Sequence, residues 1–208
     1  MGQGGEITPP ANLVRQRSLV EPQARARRNG HVGAVVWLTG LPGSGKSTLA
    51  YSAEAVLYPL GWQTAVLDGD NIRHGLAADL GFSLADRQEN IRRTGEAARL
   101  FAEHGTLVFV ALVSPLIAAR DAVRRSLPAG GFVEVHVRCP VEVCRLRDPK
   151  GLYARADRGQ IADFTGVSSR YEPPPNPELV IETAREDRHA SVRRLTDFLR
   201  ERLAVSGG

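Results

Sequence analysis

Five short apolar runs, rich in β-branched residues, alternate along the chain with segments of helical spacing. The runs are AVVWLTG (34–40), TAVLDG (64–69), TLVFVALVS (106–114), FVEVHVRC (132–139) and ELVIET (178–183). Runs of this length and composition are typical of buried strands. Parallel strands need crossover connections, and near-continuous apolar strands need cover on both faces. We therefore predict a three-layer α/β fold, with a mainly parallel sheet of about five strands and helices on both faces.

Two long segments have the spacing of amphipathic helices. In residues 85–105 one face carries Ile91, Thr94, Ala98 and Phe101. In residues 185–204 one face carries Val192, Leu195, Leu199 and Leu203. Gly105 is predicted to end the first helix.

Residues 148–178 interrupt this alternation. The segment combines a short helical stretch with Gly, Ser and Pro. A segment of this length with little regular structure in a compact domain is usually a lid or a binding loop. We predict that it covers a ligand site.

Length and composition favour one globular domain. The chain has 208 residues, of which 42% are hydrophobic and 24% charged. No run of about 18 apolar residues occurs, and the N-terminal stretch has no apolar core of a signal peptide. We expect one domain over residues 31–208, a cytoplasmic location and no membrane association.

Residues 1–30 have a different composition, with adjacent prolines at positions 9 and 10. Their basic residues are Arg15, Arg17, Arg25, Arg27 and Arg28, against the acidic Glu6 and Glu21. We predict a flexible or loosely docked basic arm. Without interleaved aromatic residues, a solvated tail is favoured over a nucleic-acid contact. The two cysteines, Cys139 and Cys144, are interpreted as structural thiols.

The sequence GLPGSGKS (40–47) follows the first predicted strand and opens a helix, which is the context that a phosphate-binding loop requires. Its backbone N–H groups and the helix N-terminus are suited to phosphate oxygens. Lys46 is predicted to reach the β and γ phosphates, and the Ser47 hydroxyl is suited to Mg²⁺. No N-K-x-D element for guanine occurs, so ATP is the expected nucleotide. The predicted ATP-binding residues are Gly40, Leu41, Pro42, Gly43, Ser44, Gly45, Lys46, Ser47 and Thr48.

The stretch LDGDNIRHGL (67–76) places two carboxylates at the end of the second strand. Ligands of open α/β sheets bind at this edge. Asp68 is predicted to hold Mg²⁺ through water, and Asp70 to orient an attacking hydroxyl. Arginines suited to an anionic acceptor follow, namely Arg73, Arg87, Arg92 and Arg93. The alternative is that Asp70 caps a helix starting at Asn71 and that the arginines lie on a solvated helix face.

These motifs resemble the adenylylsulfate kinase (APS kinase) family. The resemblance runs from about His31 to Thr183 and includes LDGDNIRHGLAADLGFSLADRQENIRR, DPKGLY, FTG and NPEL. It implies a P-loop kinase fold and transfer of the ATP γ-phosphoryl group to the 3′-hydroxyl of adenosine 5′-phosphosulfate, which gives 3′-phosphoadenosine 5′-phosphosulfate in sulfate activation. It also implies Mg²⁺ and a homodimer, with ATP sulfurylase as a candidate partner.

The resemblance also implies roles for individual residues. Arg73, Arg87 and Asn90 correspond to polar clamps on the acceptor, and Phe82 and Phe164 to two rings that stack on its adenine. Lys150, one of only two lysines in the chain, lies in DPKGLY and corresponds to a lid residue over the phosphosulfate.

Ser114 matches a serine that the family describes as a phosphoserine intermediate. We favour instead a strand-end hydroxyl that bonds ligand or backbone, because P-loop kinases transfer in line to a bound acceptor.

The chain departs from the family pattern at Leu116, Ile117, Ala154 and Arg170. Two other interpretations are another small-molecule P-loop kinase, for a sugar acid or a nucleoside, and a non-catalytic module for nucleotide sensing or sulfurylase docking.

Overall fold

The computed structural model describes residues 12–14, 16 and 18–205. Its sheet contains β1 (Ala34–Thr39), β2 (Thr64–Asp68), β3 (Leu107–Ala111), β4 (Phe132–Arg138) and β5 (Leu179–Glu182). The strand order is β2-β3-β1-β4-β5, and every neighbouring pair is parallel. The predicted five-stranded parallel sheet is confirmed, and each strand lies within the apolar run that predicted it.

Eight α-helices connect and cover these strands in the described part of the chain. They are α1 (Pro22–Asn29), α2 (Lys46–Leu57), α3 (Gly69–Arg73), α4 (Leu84–Glu103), α5 (Ile117–Arg125), α6 (Val141–Arg147), α7 (Leu152–Asp157) and α8 (Arg188–Leu203). A 3₁₀ turn, Tyr58–Leu60, follows α2. None of the helices in these ranges combines the length and apolarity that crossing a membrane requires.

Alternate side chains of β1 pack into two hydrophobic cores on opposite faces of the sheet. Val36 and Leu38 pack with α2 and α8, whereas Val35 and Trp37 pack with α4 and α5. This arrangement gives the three predicted layers of an α/β P-loop kinase fold. A third, smaller cluster lies at the carboxyl edge of the sheet and is called the lid cluster below. Its buried members are Cys139, Cys144, Tyr153, Ala156 and Phe164.

Side-chain caps fix where the two long helices begin. The Ser83 hydroxyl accepts from Asp86 N at 3.1 Å at the start of α4, and Asp187 accepts from Ala190 N at 2.8 Å at the start of α8. The predicted buried face of α8 is confirmed. In α4 the prediction for Phe101 is wrong, because this side chain is 47% exposed. The last turn of α4 presents Ala102 to the core instead.

Residues 22–29 of the predicted arm form α1. The Asn29 amide donates to Gly105 O at 3.0 Å and to Gln63 Oε1 at 3.2 Å, and Ala26 is buried. These residues therefore pack on the domain, which differs from a flexible arm. Residues 1–11, Arg15 and Arg17 lie outside the described residues, and their part of the arm remains a prediction.

The buried His31 connects the segment that precedes β1 with the segment that precedes β2. His31 is fully buried and stacks on Trp62, with ring centroids 4.6 Å apart. Gln63 N donates to its Nε2 at 3.0 Å, so Nδ1 carries the proton and donates to Val32 O at 2.9 Å. Burial lowers the pKa of His31 below its ordinary value of 6.5. The folded protein therefore holds this ring in its neutral form.

We predict that His31 makes folding less favourable in mild acid. Its folded pKa lies below the unfolded pKa of 6.5, so the unfolded chain binds more protons, and stability falls as the pH drops through 6.5. Urea unfolding should show that the free energy of unfolding falls between pH 7.5 and pH 5.5. The fall should be larger in the wild type than in His31→Gln, by at most about 1.4 kcal/mol. His189→Gln, at an exposed position, is the control. Equal losses in the wild type and His31→Gln would contradict the prediction.

Candidate active site

The carboxyl ends of β1, β2 and β3 bring three predicted groups to one edge of the sheet. The phosphate loop follows β1, Asp68 ends β2, and Ser114 follows β3. β3 and β4 pair with opposite sides of β1, so the chain leaves β1 at the point where the strand order reverses. Ligands of open α/β sheets bind at such a point.

The phosphate loop has the tight backbone that its glycines permit. Gly43 and Gly45 have φ angles of 76° and 98°, in the left-handed region that favours glycine. The Lys46 ammonium donates to the carbonyls of Gly40 and Leu41 at 2.9 and 2.8 Å. Burial lowers the pKa of Lys46 to about 8. The loop thus presents a desolvated cation close to the N-terminus of α2.

Asp68 connects the phosphate loop to α3. Its Oδ2 accepts from the Ser47 hydroxyl at 2.5 Å, and its Oδ1 accepts from Asp70 N at 3.0 Å. Asp68, which is 6% exposed, is therefore the N-cap of α3. The alternative in which Asp70 caps a helix from Asn71 is wrong, because the helix starts two residues earlier and leaves the Asp70 side chain free to face the cleft.

The lid region contacts Asp70 directly. The Lys150 ammonium forms an ion pair with Asp70 Oδ2, and both side chains are more than half exposed. The two lysines of the chain thus lie at the two motifs where the sequence predicted them, one in the phosphate loop and one in the lid.

Arg73 and Phe82 form one side of the predicted acceptor pocket. The Arg73 guanidinium lies 4.2 Å from the centroid of the Phe82 ring and donates to Gly81 O at 2.8 Å. Phe82 is 61% exposed, so one face of its ring is available to a ligand. Burial lowers the pKa of Arg73.

Arg87 joins this side to the segment that carries Phe164. Its Nε donates to Phe82 O at 2.8 Å, while its two terminal nitrogens donate to Thr165 Oγ1 at 2.9 Å and to Asp163 O at 2.6 Å. Burial lowers the pKa of Arg87, and the charge of Arg73 adds to this effect. Two partly desolvated cations side by side favour an anionic ligand.

Asn90 and Phe164 are buried near these arginines and line the same cleft. Arg92 and Arg93 do not contribute to it. Their guanidinium groups pair with Glu89, and that of Arg93 also pairs with Asp79. The position of these two arginines outside the cleft does not support an anion-binding role for them in this site. Arg92 is exposed, as the alternative of a solvated helix face requires, whereas Arg93 is half-buried between Glu89 and Asp79.

The Ser114 hydroxyl is engaged by the protein. It accepts from Trp37 Nε1 at 2.9 Å and donates to Leu112 O at 3.4 Å, and the residue is 3% exposed. Its backbone has a φ of 39°, which is uncommon for a residue other than glycine. Arg120 donates to the Ser114 carbonyl at 2.6 Å and helps to hold this conformation.

Among the cleft residues that sequence reasoning missed, three contact the phosphate loop or its neighbours directly. Arg147 donates to Thr183 Oγ1 and O at 3.1 and 2.5 Å, and Thr183 donates to Ser44 O at 2.8 Å, so both residues border the phosphate loop. Tyr153 donates to Pro42 O at 3.0 Å. Arg147 directly precedes DPKGLY, and Tyr153 is its last residue. Thr183 follows β5 at the binding edge. These positions in the sequence could therefore have indicated that the three residues lie near the site.

One cleft of about 1500 Å³ joins these parts. This volume exceeds the range of about 300–1000 Å³ typical of a site for one small ligand, and so leaves room for two nucleotide-sized molecules. All predicted acceptor residues line it. Of the phosphate loop, Gly40, Leu41 and Ser44 do not line it. The predicted residues that line the cleft are Pro42, Gly43, Gly45, Lys46, Ser47, Thr48, Asp68, Asp70, Arg73, Phe82, Arg87, Asn90, Ser114, Lys150 and Phe164.

Comparisons with known proteins agree with this geometry. The model of the adenylylsulphate kinase family matches residues 32–182. The adenylyl-sulfate kinase of Acaryochloris marina (strain MBIC 11017) is 48% identical over 196 residues, which cover 94% of this chain and 96% of that protein.

Solved structures give the same result. The structure of the Mycobacterium tuberculosis APS kinase CysC in complex with AMPPNP and APS is 45% identical, with a TM-score of 0.76, over 81% of this chain and 98% of that one. The hexameric APS kinase from Thiobacillus denitrificans is 32% identical, with a TM-score of 0.63, over 83% of this chain and 30% of that one. This chain belongs to the adenylylsulphate kinase family.

Proposed function

We propose that this protein transfers the γ-phosphoryl group of ATP to the 3′-hydroxyl of adenosine 5′-phosphosulfate and so forms 3′-phosphoadenosine 5′-phosphosulfate. The observation that carries the proposal is that one cleft contains both a phosphate loop and a pocket with two arginines and two phenylalanines. The similar Mycobacterium tuberculosis kinase has been solved with AMPPNP and APS bound, which supports both substrates.

ATP is proposed to bind with its phosphates in the loop that leads into α2. Backbone N–H groups and the helix N-terminus would hold the phosphate oxygens. Lys46 already donates to two loop carbonyls at 2.9 and 2.8 Å, and phosphate oxygens are stronger acceptors for the same ammonium. Arg147 and Thr183 border the opposite side of the loop, where they are suited to the nucleoside.

Ser47 and Asp68 fit a magnesium ion. Both offer hard oxygen donors, and their oxygens are 2.5 Å apart. No group of three or more His, Cys, Asp or Glu residues suited to a metal occurs within the described ranges. A site with only a few oxygen donors from the protein is typical of Mg²⁺, which keeps several waters and binds beside substrate phosphates. When bound, Mg²⁺ neutralises charge on the transferring phosphate.

The acceptor is proposed to lie between Phe82 and Phe164. Stacking of a base on an aromatic ring contributes roughly 1–3 kcal/mol, and the partly desolvated guanidinium groups of Arg73 and Arg87 are suited to the phosphosulfate. Asp70, at the N-terminal turn of α3, would accept a hydrogen bond from the 3′-hydroxyl and take its proton during transfer. Lys150 holds the Asp70 carboxylate from the lid side.

We propose direct transfer between the two substrates. The Ser114 hydroxyl hydrogen is already donated to Leu112 O, and its oxygen accepts from Trp37. These contacts suit a residue that fixes the strand end rather than one that carries a phosphoryl group. The cytoplasmic location, the homodimer and an ATP sulfurylase partner remain predictions, and the relative from Thiobacillus denitrificans is described as hexameric.

An ADP-release assay tests the proposed reaction. We expect release in the presence of ATP, Mg²⁺ and adenosine 5′-phosphosulfate, and little release with gluconate or adenosine as acceptor. Lys46→Arg is the matched control, because it keeps the charge but places a planar guanidinium where a compact ammonium is needed, and it should lose most activity. Release that depends on another alcohol would indicate a different small-molecule kinase. ATP binding without release for any acceptor would indicate a non-catalytic module.

Asp70→Asn should lower kcat by roughly 10² to 10³, because it removes a positioned base while keeping the side-chain shape. ATP affinity should change little.

Lys150→Met removes the same ion pair but keeps the carboxylate, so its main effect should fall on the KM of the acceptor. Asp68→Asn should differ from both in being partly rescued by raised Mg²⁺. Steady-state kinetics in which Asp70→Asn keeps near-normal kcat would refute the assignment.

A further inference from the structure

A buried tyrosine of the lid region touches both ends of the cleft. Tyr153 on α7 is 2% exposed. Its hydroxyl donates to Pro42 O at 3.0 Å, and Pro42 is part of the phosphate loop. Its ring packs edge-on against Phe164, with centroids 5.0 Å apart and planes at 84°. One side chain thus connects the ATP end of the cleft with a ring of the acceptor end.

The surroundings of Tyr153 connect the phosphate loop tightly to residues 164–166, so that a displacement of one is passed to the other. The carboxylate of Asp148 accepts from Tyr153 N at 3.1 Å and anchors the start of α7. At Gly166, a Cβ atom would lie 3.1 Å from Leu41 Cδ2 and 3.6 Å from the Tyr153 hydroxyl. The phosphate loop, α7 and the FTG segment therefore pack closely in the lid cluster. Burial raises the pKa of Tyr153, so its phenol remains a hydrogen-bond donor.

Arg87 extends the contacts from Phe164 to the second ring. The neighbours of Phe164 in sequence supply the acceptors Asp163 O and Thr165 Oγ1, and the same guanidinium donates to Phe82 O. A continuous series of packing contacts and hydrogen bonds thus runs from the phosphate loop through Tyr153 to both rings of the acceptor pocket.

We propose that Tyr153 is a positioning residue that couples the two substrate sites, so that each substrate strengthens the binding of the other. A ligand that fixes the phosphate loop also fixes Tyr153 through Pro42, and thereby places Phe164 for the acceptor. The contacts through Tyr153 thus tie the positions of the two sites to each other, and linkage requires the effect to be equal in both directions. The inference rests on the proposed function, because it takes ATP and adenosine 5′-phosphosulfate as the two ligands.

Calorimetry on the full chain tests the coupling. The affinity for adenosine 5′-phosphosulfate is measured with and without a saturating non-hydrolysable ATP analogue, in the wild type and in Tyr153→Phe. The analogue should tighten acceptor binding to the wild type. In Tyr153→Phe the ring contact remains but the bond to Pro42 is lost, so the enhancement should fall by roughly 2- to 10-fold, as expected for one hydrogen bond. Each affinity measured alone should change less than this ratio.

Tyr171→Phe is the matched control. It also removes a partly buried phenol contact, to Thr39 Oγ1 at 3.1 Å. Tyr171 does not join the two sites, so the enhancement in this variant should equal that of the wild type. Phe164→Leu cuts the connection from the acceptor side and should also reduce the enhancement. An unchanged ratio in Tyr153→Phe, or no enhancement in the wild type, overturns the coupling alone. A wild type that never binds adenosine 5′-phosphosulfate overturns the proposed function as well.

Discussion

The parallel pairing of β1 with β3 and β4 is the constraint on which the site depends. Parallel register places the carboxyl ends of the strands at one edge, so the phosphate loop, the Asp68 carboxylate and the strand end at Ser114 meet without any other device. Burial of both sheet faces holds this register. The Ser47–Asp68 hydrogen bond then joins the first two of these parts, so the chemistry of the loop and of β2 is fixed by the same packing that stabilises the fold.

The lid cluster adds a second level of organisation to this edge. Its residues come from the β4–α6 connection, α6, α7 and residues 164–166, and they pack against Leu41 of the phosphate loop. The two buried cysteines, Cys139 and Cys144, belong to this cluster, and burial raises the pKa of Cys144 to about 12. This agrees with structural thiols. The Phe164 side of the proposed acceptor pocket is therefore built on a small core of its own, which is attached to the phosphate loop by apolar contacts and by the phenol hydrogen bond of Tyr153.

Sequence reasoning predicted the parts of this protein that depend on local pattern. The strands follow from apolar runs, and the positions of Lys46 and Asp68 follow from motif and edge. It did not predict that Tyr153 would bond Pro42, because 111 residues separate them and their two motifs carry no information on how they pack against each other. The exposure of Phe101 was missed for a related reason: helical spacing allows either Phe101 or Ala102 on the buried face, and the packing of Ala102 against the core decides between them.

In the proposed reaction, the γ-phosphoryl group passes directly from ATP at one end of the cleft to the acceptor hydroxyl at the other. The most direct test of this transfer is the stereochemical course at phosphorus, with a γ-thiophosphate of ATP made chiral by oxygen isotopes. A single in-line displacement inverts the configuration, whereas a covalent phosphoserine requires two displacements and restores it. The buried, fully bonded hydroxyl of Ser114 predicts inversion. Retention of configuration would contradict direct transfer.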